Sequence, residues 1–223
     1  SPNVASGEQT LTLTAITAGD GAYVCTITFT DSAGNAASAL TLTSFTLDTT
    51  VATPTETTAV STPTNDETPD VVITTTEAGT IVVAGTTGCG IGSAAVASGQ
   101  QTLTLSEITQ GDGAYVCTIT FTDSLGNAAS ALTLTSFTLD NAVATPTETT
   151  AVTTPTKDTS PDVVITTTQA GTIVVAGTTG CGIGSAAVSS GQQTLTLSEI
   201  TQGDASYTCT ITFTDSVGNA ANA

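Results

Sequence analysis

Residues 111–127 read Gly-Asp-Gly-Ala-Tyr-Val-Cys-Thr-Ile-Thr-Phe-Thr-Asp-Ser-Leu-Gly-Asn. Tyr115, Cys117, Ile119 and Phe121 fall on one side of an alternating run, and Val116, Thr118, Thr120 and Thr122 fall on the other. Period two with one apolar side is the pattern of a strand that buries one face. Gln110-Gly111-Asp112-Gly113 turns the chain into this strand. Asp123-Ser-Leu-Gly-Asn127 turns it out again as a hairpin, with Gly126 free to take positive φ. The stretch recurs with one change at 19–35 and with several more at 203–219.

Working outward, every landmark follows one step. Cys25, Cys117 and Cys209 stand 92 residues apart, as do Cys89 and Cys181. Phe29, Phe121 and Phe213 keep that spacing, and so do Tyr23, Tyr115 and Tyr207. An internal repeat of this period predicts an array of small domains rather than one large one. The expected units are 1–48, the C-terminal part of a repeat; 49–140, a complete repeat; and 141–223, a repeat without its last strand. Ser1 maps onto Ser93 and Ala223 onto Ala131, so the chain reads as an internal piece of a longer array. Cys25 is then a cysteine whose partner lies outside the window.

Within 49–140, Pro54, Pro63 and Pro69 confine the opening segment to an edge strand or linker. Strands are predicted at Val71–Thr76, Thr80–Gly85, Gln101–Ile108 and Tyr115–Thr122, and Gly-rich residues 88–92 are read as an interruption. Leu103 and Leu105 oppose Thr102 and Thr104. Leu132–Leu139 also alternates, with a slip near Ser136 that predicts a bulge. About seven short strands per repeat, with turn signals every 8–12 residues, is the signature of a β-sandwich. The expected fold class is all-β, tandem immunoglobulin-like sandwiches.

Composition agrees with strands and narrows the partners. Of 223 residues, 55 are Thr, and one Lys or Arg stands against 19 Asp and Glu, for a formal charge of −18. Thr and Val suit pleated strands. A chain whose one basic residue is Lys157 has no footprint for phosphate backbones, and anionic membrane surfaces repel it, so neither nucleic acid nor membrane insertion is expected. No apolar run approaches the length of a membrane span. With no His and no Arg, nucleophile–base pairs and oxyanion-stabilising cations lack their usual members, so no enzyme and no catalytic residues are expected. Carboxylate pairs recur at strand ends, where turns place them anyway. No Asn-x-Ser/Thr acceptor occurs. The Thr ladders (Thr102 and Thr104; Thr133 and Thr135) offer hydroxylated faces for sugars or ice, or are simply exposed strand residues.

Tyr115-x-Cys117 after Asp112-Gly113 resembles the tyrosine corner and strand F of immunoglobulin folds. The Thr122–Asn127 run, the Leu139-Asp140 repeat end and Thr53-Pro54 resemble the bacterial immunoglobulin-like repeats of large biofilm-associated and adhesin-type surface proteins. The resemblance covers the whole chain. It implies an extracellular or cell-surface spacer, stalk or fibre in cell adhesion or biofilm, with neighbouring repeats or subunits as partners and a host or neighbouring cell surface beyond them. A self-assembling filament held by strand complementation and a carbohydrate-binding or cell-binding module are the alternatives. Two features depart from the family: the core Trp is absent, and a cysteine spacing of 28 places Cys89 after strand C rather than on strand B. Either Cys89 pairs with Cys117, and Cys181 with Cys209, or the thiols are free and buried. The structural tyrosines implied are Tyr23, Tyr115 and Tyr207.

The same topology would gather oxygen ligands between repeats. Asp20, Asp48, Glu77, Asp123 and Asn127 would meet at the first junction. Asp66, Asp112, Asp140, Asp215 and Asn219 would meet at the second. Oxygen-only sets suit Ca²⁺, and the resemblance implies calcium-stiffened junctions. Against this, Asp-Ser-x-Gly-Asn is what a tight turn wants without a metal, and Glu77 becomes Gln169 in the next repeat.

Overall fold

The computed structural model describes residues 4–85, 89–177 and 181–222. Among these the chain is all-β. The middle repeat, 49–140, contains β1 (Thr55–Thr58), β2 (Asp70–Thr75), β3 (Gly79–Gly85), β4 (Ile91–Val96), β5 (Gly99–Thr104), β6 (Gly113–Tyr115), β7 (Cys117–Asp123), β8 (Leu132–Thr133) and β9 (Phe137–Leu139). One sheet has the order β1-β2-β5 and the other β8-β7-β3-β4, with β6 and β9 paired beside the second. All these pairs are antiparallel. Two sheets face to face, with short crossovers, make an immunoglobulin-like sandwich.

Alternation builds the core. Val71 and Ile73 from β2, Ile81 and Val83 from β3, Leu103 from β5, and Cys117, Ile119 and Phe121 from β7 are buried on the inner faces. Thr80, Thr102 and Thr120 face water. Phe121 is 1 % exposed, and its ring covers Gly79, where a Cβ would stand 2.6 Å from the ring and 2.3 Å from the Thr122 carbonyl. A side chain on β3 there and a ring on β7 exclude one another. The same packing recurs at Gly171 and Phe213.

Where the structure differs from the sequence reading, the reasons are local. Among the described residues of the middle repeat there are nine strands rather than about seven. Ile91–Val96 is a strand that was not predicted, because Gly, Ser and Ala carry little β signal of their own; it pairs with β3 through a register shift between Ile81 and Val83. The interruption read at 88–92 lies partly outside the described residues. Gln101–Ile108 is strand only to Thr104. Leu105 and Ile108 stay buried beyond it, their amides held by the Pro69 and Glu67 carbonyls. Leu132–Leu139 splits at the slip, so that Thr133 pairs with Thr118 and Phe137 pairs with Tyr115. That bulge lets Leu134, Phe137 and Leu139 all point inward.

The Pro-rich opening serves both sheets. Its first part, β1, is an edge strand on β2 with a register shift between Glu56 and Thr58. Past the cis Thr62-Pro63 bond it crosses over, and Thr64 bridges Leu139 in parallel. Thr64 donates to the Thr138 carbonyl and accepts from the Asp140 amide.

The third repeat keeps the same frame. Thr147–Thr150, Asp162–Thr167 and Gly191–Thr196 form one sheet; Gly182–Val188, Gly171–Gly177, Cys209–Asp215 and Ala220–Asn222 form the other. Its core cluster is separate from that of the middle repeat. Residues 4–48 form only short pairings, Gly21–Tyr23 with Phe45–Leu47 and Thr26–Ile27 with Leu40–Thr41. No helix among the described residues is long and apolar enough to cross a membrane.

Candidate functional site at the repeat junctions

Three features recur along the chain. The first is the disulfide. Cys89, just past β3, bonds Cys117 at the start of β7, with Cα atoms 5.5 Å apart; Cys181 bonds Cys209 with Cα atoms 5.7 Å apart. Cys25 carries no disulfide. Gly85 and Gly177 make room for these links, since a Cβ at either would lie 2.6 Å from the neighbouring cysteine's Cβ. The second feature is the tyrosine corner. The Tyr115 hydroxyl donates to the Gly111 carbonyl at 2.6 Å, and Tyr207 to Gly203 at 2.6 Å. Tyr23 makes the same bond to Gly19. Each bond ties the turn back onto the strand that follows it.

The third feature is the junction itself. At the first, Asp48 ends one repeat, Glu77 lies in the β2–β3 turn of the next, and Asp123 ends β7. Carboxylate oxygens of the three lie within 4.8 Å of one another, with Asp123 buried and the other two half-buried. Asp123 is also the anchor of its hairpin turn. Its Oδ1 accepts from the amides of Leu125 and Asn127 at 2.8 Å, and its Oδ2 accepts from Asn127 Nδ2 at 2.7 Å. The same Asn127 Nδ2 donates to the Asp48 carbonyl at 3.2 Å and so stitches one repeat to the next. Asp20 holds the linker, accepting from the Thr49 amide and hydroxyl and from the Thr50 hydroxyl at 2.6–2.8 Å.

The second junction repeats the stitch with one change. Asn219 Nδ2 donates to the Asp140 carbonyl and to Asp215 Oδ2, both at 2.8 Å. Asp112 accepts from the Asn141 amide at 2.8 Å. Where the first junction has Glu77, the second has Gln169, whose Nε2 donates to Asp215 Oδ2 at 2.9 Å. Asp66 closes its own turn by accepting from the Thr68 amide and hydroxyl. Its neighbour Asn65 reaches across instead, donating to Asn219 Oδ1 at 3.3 Å. Glu67 accepts from Asn141 Nδ2. Neither Asn65 nor Glu67 was singled out from sequence, because nothing local marks a side chain as spanning two repeats.

Electrostatics sets one raised and one lowered carboxylate at each junction. Desolvation, then the charges of Asp48, Asp123 and Asp20, raise the Glu77 pKa above the usual glutamate value. Asp140 is raised by desolvation and by Asp215 and Asp112. Burial pushes Asp123 and Asp215 upward too, but the hydrogen bonds from Asn127 and Asn219 and the turn amides outweigh it, and both end below the usual range. A raised folded pKa means that ionised Glu77 opposes folding. Its penalty is full above the folded value, falls as pH drops through it, and is gone below 4.5. Glu77→Gln therefore raises the melting temperature at pH 7 and leaves it unchanged near pH 4. Thermal melts across that range check this. Equal gains at both ends would mean that packing, not charge, governs the site.

The donor set fits a hard cation. Three carboxylates of one small cluster can converge on Ca²⁺, which takes several oxygens at about 2.3–2.6 Å. Asp48, Glu77 and Asp123 would hold it at the first junction. The second has two carboxylates there and an amide that is already donating, so it suits a cation less well.

No family model matches the sequence, and neither does any curated protein. Among solved structures, the chain is similar to the crystal structure of a tetra-tandem repeat in the extending region of a large adhesion protein. Identity is 23%, the match covers 92% of this chain and 55% of that chain, and the TM-score is 0.33. The chain thus spans about half the length of that structure.

Proposed function

We propose that the chain is a run of spacer repeats, 49–140 being one whole unit, from a large extracellular surface protein, and that it extends a semi-rigid stalk for adhesion or biofilm. The observation that carries this reading is the repeated stitch between units. Asn127 reaches the Asp48 carbonyl and Asn219 reaches the Asp140 carbonyl, one period apart. A turn that caps the end of the preceding repeat makes successive units meet at a set angle, and length then grows by duplication. Disulfides in the middle and third repeats favour an oxidising compartment. The high negative charge keeps a long fibre soluble and draws divalent cations. Small-angle scattering of arrays of increasing repeat number tests the stalk. Its maximum dimension should grow linearly with repeat number, and Asn127→Ala should loosen it. Growth as the square root of repeat number would describe beads on a flexible string and reject the stalk.

Calcium is part of the proposal at the first junction only. Added Ca²⁺ should raise the melting temperature of the middle repeat, chelator should reverse this, and Glu77→Gln should abolish the response. Binding stabilises by mass action, about 2.7 kcal/mol at a hundredfold excess over Kd. A melt indifferent to calcium removes the ion and leaves the spacer, held by hydrogen bonds and disulfides.

A further inference from the structure

The two sheets of the middle repeat end in four outer strands, β1, β5, β8 and β4. Three of these are blunted. β1 follows Pro54, carries Glu56 and shifts register between Glu56 and Thr58. β4 shifts register against β3 between Ile81 and Val83. β8 is only Leu132–Thr133. Short strands, bulges, prolines and charges are the usual means of keeping an edge from pairing with another chain.

β5 has none of them. Gly-Gln-Gln-Thr-Leu-Thr pairs with β2 through six residue pairs, from Gly99 with Thr75 to Thr104 with Asp70, without a shift. Residues 78–106 contain neither a charge nor a Pro, in a chain of net charge −18. The strand before it, β4, belongs to the other sheet, and the strand after it, β6, pairs with β9. Among the described residues, therefore, no strand pairs with the far side of β5. The Leu105 amide donates to the Pro69 carbonyl at 3.0 Å. Main-chain groups alternate in direction along a strand, so Gln100, Thr102 and Thr104 turn theirs outward. The third repeat has the same edge. Residues 191–196 repeat the sequence of 99–104, pair without a shift, and are followed by a Leu197 amide bonded to the Pro161 carbonyl.

We propose that β5 and its counterpart Gly191–Thr196 are self-association edges, at which a second copy of this chain adds antiparallel and the two three-stranded sheets run on as one. The edge is complementary to itself. With Thr102 facing Thr102 across a two-fold axis, Gln100 faces Thr104, and each facing pair exchanges two main-chain bonds. Main-chain pairing of this kind supplies affinity. Charge selects the place, because this flank lets two acidic chains meet without carboxylates opposed. Asp70, the one carboxylate on β2, accepts from Thr104 Oγ1 at 2.6 Å. In the two-fold pair the Asp70 residues of the two copies lie at opposite ends, about 20 Å apart by strand spacing. That is well beyond the screening length of about 8 Å at physiological salt. The proposal is independent of the spacer reading, which concerns units joined along one chain; here copies join side by side.

Two measurements on the 223-residue chain test it. Sedimentation should show dimers and larger species whose share rises with concentration. Thr102→Lys/Thr194→Lys should weaken this association on the order of a hundredfold, because like charges then face each other across the axis. Thr80→Lys/Thr172→Lys adds the same charge on β3 and its counterpart and should not weaken it. In a Cys25→Ser background, oxidised Thr102→Cys/Thr194→Cys chains should form reducible cross-links, since facing residues of a hydrogen-bonded antiparallel pair have Cα atoms about 5.5 Å apart. Thr104→Cys/Thr196→Cys chains, whose cysteines face glutamines, should not. A chain that stays monomeric at its highest soluble concentration overturns the proposal. So does association that the lysines at 102 and 194 leave untouched, and so does equal cross-linking from the two cysteine pairs.

Discussion

Replacing Cys89 and Cys117 together by alanine is expected to lower the melting temperature of the middle repeat by about 15–25 °C. The physical reason is loop closure. The bond spans a separation of 28 residues, and in the chain-entropy model a loop of that size stabilises by roughly 3–4 kcal/mol. A domain near this size has a total stability of only about 5–15 kcal/mol. Its core here is thin, with Phe121, Phe137 and Tyr115 as the large side chains and no Trp. Losing the link therefore removes a large share of the total. Calorimetry of the chain, with the transitions of the two core clusters resolved, provides the measurement. The same change at Cys181 and Cys209 should shift only the other transition, because the two core clusters are separate. A shift of less than about 4 °C, equivalent to under ~1 kcal/mol, would show that the sandwich closes without its staple.

Phe121→Ala is expected to cost about 3–5 kcal/mol. The ring is 1 % exposed, is supported across the strand by Ile81, and lies over Gly79. Removing it opens a cavity that strand β3 cannot fill by collapsing, because β3 is pinned between β7 and β4. Gly79→Ala tests the same contact from the other side. Its Cβ would meet the Thr122 carbonyl at 2.3 Å as well as the ring at 2.6 Å. Overpacking of that sort costs typically 1–3 kcal/mol. The double variant should stay at least as unstable as Phe121→Ala, since the clash with backbone remains after the ring has gone. Urea unfolding of the three variants decides it. A double variant more stable than Phe121→Ala would mean that the glycine matters only for the ring.

These two sites differ in how far they could be read beforehand. Phe121 and its alternating neighbours were legible because a strand's inward face is written every second residue. The turn at Asp123–Asn127 was legible because Gly126, at φ 96°, and the Asp side chain act within five residues of chain. The register of Gly79 against Asp123, which brings the glycine under the Phe121 ring, was not. It depends on how two strands align, and nothing local to Gly79 carries that alignment.

By itself the sequence determined the period, the strand alternation, the turns and the acidic, nearly cation-free surface, because each rests on composition or on neighbours close along the chain. It also placed the last strand's bulge near Ser136, through the shift of phase between Leu134 and Phe137. Tertiary structure alone decided three things. Ile91–Val96 became a strand by adding to the edge of β3. Asp66 folded back onto its own turn while Asn65 and Glu67 reached across the second junction in its place, and this followed from the packing of one repeat against the next. The clearest case is the cysteine pair. The sequence left Cys89 and Cys117 either bonded or free, and the pairing of Gly85 with Cys117 across β3 and β7 brings their Cα atoms to 5.5 Å. A bond between residues 28 apart depends on how two strands align, and neither segment carries that alignment on its own.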